Sequence, residues 1–156
     1  METKKQLTQK VIISTISIIL VAVLGSVFVN LGTDWFNLLN RPMQWIPNII
    51  IPIVWTVIYL AFAIINYLWL KNGGINKNVV VLMIINGILN VLWCLIFFTL
   101  RQLFLGNIVI ILNVIFGIVL WVQINKAQKI YSYVLAIYPI WLCIATTLNL
   151  ALWILN

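Results

Sequence analysis

The run VIISTISIILVAVLGSVFVNLGT, Val11 to Thr33, contains no charged residue in 23 positions. A helix rises ~1.5 Å per residue, so about 20 apolar residues cross the ~30 Å hydrocarbon core of a bilayer. This run is long enough. A lipid-facing barrel strand would instead alternate polar and apolar residues over about 10 positions, and no such period is present. The many β-branched residues are no objection, because hydrocarbon offers no partner to an unpaired backbone amide and so enforces the helix. The pattern recurs along the chain. Pro42 to Leu70, Asn78 to Leu100, Gln102 to Asn125 and Ile130 to Asn156 are uncharged over 29, 23, 24 and 27 residues. The expected fold is all-α, an integral membrane bundle of five transmembrane helices at about 8–31, 46–70, 78–100, 104–125 and 130–154. One domain, 1–156, accounts for the whole sequence. Val23 to Ser26, VLGS, imitates a signal-peptide cleavage site, but the apolar run continues to Leu31, so a retained first helix is expected.

Composition agrees. Hydrophobic residues make up 65% of the 156 and charged residues 7%, against about 25% charged in soluble domains. The net charge of +7 is distributed by side. With five spans, Lys4, Lys5, Lys10, Lys71, Lys77, Lys126 and Lys129 share one face of the membrane, and only Arg41 and Arg101 lie on the other. The positive-inside rule then puts the N-terminus in the cytoplasm and the C-terminus outside. The basic balance therefore reports topology, with no nucleic-acid partner implied. Cys94 and Cys143 fall in different expected helices and read as two free, buried thiols.

Much chemistry is excluded. There is no histidine, and the two acids are Glu2, in the tail, and Asp34, at the end of the first helix. Metal sites, general acid–base pairs and activated nucleophiles need such groups inside the fold. Ion-coupled transport needs an intramembrane carboxylate or an equivalent relay. The glycines of Asn72–Gly74 read as a loop turn rather than a phosphate cradle.

What remains is aromatic and amide: eight tryptophans and five tyrosines. Trp35, Tyr67, Trp69, Tyr131 and Trp153 fall near helix ends, where aromatic belts form. Three further sets recur at helical spacing. They are Trp55, Tyr59, Phe62 and Asn66; Asn86, Asn90, Trp93 and Phe97; and Tyr138, Trp141, Ala145 and Asn149. Such stripes either pack helices together, with amides bonding across them, or line a cavity for a flat apolar ligand. Spacing alone leaves both readings open; Asn66, Asn86 and Asn113 are assigned to packing.

The residues themselves resemble the translocator protein/tryptophan-rich sensory protein (TspO/MBR) family. WFNLLNRP (Trp35–Pro42), PIVWTVIY (Pro52–Tyr59), LNVLWCLIFFTLRQ (Leu89–Gln102) and YPIWLCIATTLN (Tyr138–Asn149) are similar, in that order, to four family motifs. The resemblance implies a five-helix bundle, commonly a homodimer, with one pocket per protomer opening toward the first loop. It implies porphyrins and other tetrapyrroles, sterols, and benzodiazepine-type or isoquinoline carboxamide drugs as ligands, with protoporphyrin or haem a ligand rather than a cofactor. By position, the ligand-binding residues would be Gly25, Pro47, Trp55, Asn90, Trp93, Trp141, Ala145 and Leu148, with Thr33–Pro47 as a lid.

Departures from the family pattern narrow the expectation. Ile49 stands where members often carry a further tryptophan, and Val109 where an acid is frequent. The closing LALWILN lacks the aromatic-then-basic pattern linked to sterol, so specific sterol binding is not expected. Richness in Ile, Asn and Lys suggests a bacterial cell membrane. The leading functional reading is a receptor or sensor for porphyrin-like ligands, with moving them or presenting them for disposal as the roles open to it. The alternatives are passive transport, and light- and oxygen-dependent breakdown of bound porphyrin with Trp141 and Trp55 as the redox-active candidates.

Overall fold

The computed structural model describes residues 4–43 and 45–156. Glu2 and Gln44, the latter in the expected lid, lie outside the described residues. Six α-helices follow in order: α1 Lys4–Leu38, α2 Ile50–Lys71, α3 Lys77–Cys94, α4 Leu103–Ala127, α5 Lys129–Leu135 and α6 Ile137–Leu155. A π-helical turn, Leu95–Thr99, continues α3, and α5 with α6 makes a fifth span. All five spans are long and apolar enough to cross a membrane. Around the bundle the neighbours run α1, α2, α5 with α6, α4, α3 and back to α1.

The helix limits differ from the sequence expectation for local reasons. The first helix runs to Leu38 instead of Leu31, since nothing between them breaks it; its 35 residues make ~52 Å, well beyond the ~30 Å core. The second helix starts at Ile50, not at residue 46. Pro47 is held in a turn, its carbonyl accepting from Ile50 N at 2.9 Å, and Pro52 falls in the first helical turn, where its missing N–H costs nothing. The span expected at 130–154 breaks at Ala136, because the ring of Pro139 excludes a regular carbonyl four residues earlier at Leu135. Asn72–Gly74 is the turn expected. Gly73 and Gly74 adopt φ of 121° and 90°, and Gly74 N caps α2 on Trp69 O at 3.1 Å.

Two of the three stripes are buried, while on α2 only Asn66 is, with Trp55, Tyr59 and Phe62 half-buried. Asn86, Asn90, Trp93 and Phe97 are buried on α3 and its π turn, and Tyr138, Trp141, Ala145 and Asn149 on α6. Trp69, expected in an aromatic belt, is buried instead, with its ring 5.6 Å from Tyr131. Cys94 is buried, whereas Cys143 is exposed, contrary to expectation, because it lies on the outward face of α6. Trp121 faces a neighbour, donating from Nε1 to Ser132 O at 2.9 Å.

One close approach fixes α1 on the rest. A Cβ at Gly32 would overlap the Phe98 carbonyl, so the α1 backbone lies directly on the π turn. Thr99 Oγ1 donates to Phe28 O at 2.9 Å across the same contact. At Gly25 a Cβ would meet only Cys94 Sγ at 3.5 Å, ordinary contact. Gly32→Ala is therefore expected to destabilise the bundle by the ~1–3 kcal/mol typical of overpacking, and Gly25→Ala to leave it nearly unchanged. Thermal unfolding in detergent compares them; equal midpoints would show that the α1 contact gives way freely.

Candidate ligand-binding site

At the end of the bundle that carries the α1–α2 loop, aromatic rings converge on a narrow internal space of about 30 Å³. Phe36 on α1, Trp45 on the loop, Trp55 on α2, Trp93 on α3 and Trp141, Ala145, Leu148 and Asn149 on α6 contribute to its wall. Trp93 is 5.9 Å from Phe97 in a stacked pair and 6.4 Å from Trp55. Such a volume holds about one water molecule. The pocket is narrow.

Its unmet polar groups are of one kind. Trp93 Nε1, Trp141 Nε1 and Asn149 Nδ2 are buried and have no hydrogen-bond partner among the described residues. All three are donors, from side chains 6%, 5% and 4% exposed. A buried donor left unmet costs about 1–3 kcal/mol. The arrangement asks for a ligand bearing acceptor oxygens. Among the described residues no cluster of His, Cys, Asp or Glu could hold a metal ion.

Of the expected lid, Thr33–Pro47, the residues through Leu38 belong to α1, and the rest lies in the loop that leads to α2. Arg41 clamps it. Its guanidinium donates to Phe36 O at 2.8 Å and to Asn48 Oδ1 at 3.1 Å, and lies 4.7 Å from the Phe36 ring centre and 5.4 Å from that of Trp45. Trp45 Nε1 donates to the same Asn48 oxygen at 3.0 Å. Asn156 adds a second fastening: its Oδ1 accepts from Asn40 N at 2.9 Å and its Nδ2 donates to Asn40 O at 3.0 Å.

Of the residues expected at the site, Trp55, Trp93, Trp141, Ala145 and Leu148 meet in this pocket. Asn90 lies in a buried hydrogen-bond network beside a second, larger cavity, which Trp55 also borders. Gly25 packs on Cys94 and Pro47 is exposed in the loop; neither borders either space. Phe36, Trp45 and Asn149 were not foreseen as site residues. Asn149 carried a signal, one turn beyond Ala145 on the same stripe; Trp45 and Phe36 did not, because the Arg41 clamp that brings them together depends on the loop's path.

The sequence pattern of the TspO/MBR family matches residues 14–154. The chain is 29% identical over 149 residues to tryptophan-rich protein TspO of Archaeoglobus fulgidus, covering 94% of this chain and 97% of that one. It is 33% identical over 141 residues to the human translocator protein, covering 83% and 79%. Protein CrtK of Rhodobacter capsulatus is 25% identical over 126 residues, covering 78% of each.

If the Arg41 clamp holds the lid, Arg41→Ala should raise hydrogen exchange of the 39–49 backbone amides about tenfold, a change of ~1.4 kcal/mol in opening. Unaltered protection by mass spectrometry would show that the lid is held elsewhere.

Proposed function

The chain belongs to the TspO/MBR family and is a multi-pass membrane protein, and from that premise we propose that it is a receptor for porphyrin-like tetrapyrroles and flat carbonyl-bearing drugs. The observation that carries this reading is the set of three unmet donors, Trp93 Nε1, Trp141 Nε1 and Asn149 Nδ2, among stacked rings. A tetrapyrrole supplies a flat face to the indoles and carboxylate oxygens to the donors; a carboxamide drug supplies a ring and a carbonyl. Lining without any ionisable side chain suits a ligand held by stacking and hydrogen bonds rather than by ion pairing.

Ligand pockets span roughly 300–1,000 Å³, so the space of about 30 Å³ has to expand on binding. The lid and the Phe36–Trp45 contact are the elements whose displacement opens it outward. Binding and lid opening are then linked, which is the behaviour of a sensor: ligand presence is reported as a loop position. On this reading the lysine-rich end is cytoplasmic and the lid faces outside. We further propose a bacterial cell membrane and a homodimer, which the composition and the family resemblance support.

Protoporphyrin titration followed by tryptophan fluorescence tests the site. Trp141→Phe loses stacking worth roughly 0.5–1.5 kcal/mol and one donor, so affinity should fall about tenfold. Asn149→Leu should also weaken binding while leaving the empty protein as stable as before, because its amide is unmet there. Trp153→Phe, on the lipid side against Phe104, is the control. The site would be misplaced if Trp153→Phe weakened binding and the other two did not. Parallel absorbance spectra in light and darkness separate a receptor from a photochemical enzyme, since only the latter loses the porphyrin band in light.

Orientation is tested by an impermeant thiol reagent on intact cells. Asn156→Cys in a Cys143→Ser background should label without permeabilisation; labelling only after permeabilisation reverses the assignment.

A further inference from the structure

A second cavity, of about 1120 Å³, lies between α1, α2 and α3 toward the lysine-rich end. We propose that it is a binding site for one molecule of an anionic phospholipid with a hydroxyl-bearing headgroup, such as phosphatidylglycerol. Its acyl chain would fill the apolar length of the groove, and its headgroup would sit at Lys10. The site shares only Trp55 with the indole-lined pocket, and the proposal goes beyond the tetrapyrrole reading.

Shape comes first. One face of α1, through Lys10, Ser14, Ser17, Val21 and Leu24, lines the groove. Fourteen residues of rise give it a length of ~21 Å, enough to take a chain through the ~15 Å hydrocarbon of one leaflet, half the ~30 Å core. Its wall includes Ile13, Leu20, Ile84 and Ile88, which are 65%, 55%, 56% and 55% exposed on the outside of the bundle. The groove therefore opens sideways onto lipid, where a phospholipid arrives without crossing water.

Charge and hydrogen bonding then select the headgroup. Lys10 borders the mouth together with Gly73, Gly74 and Asn76, and Lys4, Lys5, Lys71 and Lys77 belong to the same end of α1, α2 and α3. A cationic cluster beside a membrane surface attracts anionic headgroups. One helical turn deeper, Asn66, 6% exposed, donates to Ser14 Oγ at 3.0 Å, but its Oδ1 has no partner among the described residues. That buried acceptor calls for a donor. Hydrocarbon has none, whereas a glycerol headgroup carries hydroxyls beside its phosphate.

The test uses full-length protein delipidated in detergent and titrated with phosphatidylglycerol or phosphatidylcholine, with bound lipid counted by native mass spectrometry. One phosphatidylglycerol per chain should be retained at concentrations at least tenfold below those needed for phosphatidylcholine. Lys10→Gln and Asn66→Leu should each weaken retention several-fold, Ser17→Trp should abolish it by filling the groove, and Lys129→Gln, outside the lining, should change nothing. Unaltered protoporphyrin affinity in these variants shows that they are folded. Equal retention of the two lipids, or equal behaviour of Lys10→Gln and Lys129→Gln, overturns the proposal. So does displacement of the lipid by protoporphyrin, which would put the tetrapyrrole in the groove. Disulfide pairing of Ser17→Cys between copies with lipid retention unaffected would mean that a second chain covers it.

Discussion

A single phenol oxygen ties three helices of this bundle together. Tyr138 Oη on α6 accepts from Asn90 Nδ2 on α3 at 2.9 Å and lies 3.0 Å from Asn86 Oδ1 and 3.1 Å from Asn113 Oδ1 on α4. Asn113 Nδ2 closes the circuit on Asn90 Oδ1 at 2.9 Å. The one hydroxyl proton can point to either carbonyl, so the network has two donor arrangements on the same heavy atoms. Hydrogen bonds between helices in membranes average about 0.6 kcal/mol, so the network contributes modest stability. Its larger effect is on rotation. Trp93 stands three residues beyond Asn90, and Trp141 three beyond Tyr138. With both anchors joined, both indoles are turned to the same internal space.

That dependence explains what was legible in the sequence. The five spans follow from uncharged runs, and lipid leaves such runs little choice but helix. The inward faces of α3 and α6 were legible too, because a stripe at helical spacing keeps its members together whatever its rotation. Partition between packing and pocket was not. Asn90 shares a stripe with Trp93, yet it is held in the amide network while Trp93 keeps an unmet donor; a one-turn difference in depth decides, and periodicity is blind to depth. Gly25, placed at the site by resemblance, packs on Cys94, while Gly32, one heptad on, makes the contact that a side chain could not. Helix ends were misread where charges served as fences, since the helix of α1 stops at its own loop and not at a charged residue.

The two internal spaces have one origin. Among the described residues α2 and α3 make no close backbone contact, although each packs on α1. The resulting gap runs along the inner stripe of α2, from Trp55 through Tyr59 and Phe62 to Asn66, all of which border the larger cavity. The Trp55 and Trp93 rings approach each other across it, at 6.4 Å, and Trp55 stands between the indole pocket and the groove, bordering both. Trp55 is therefore a partition as well as a wall.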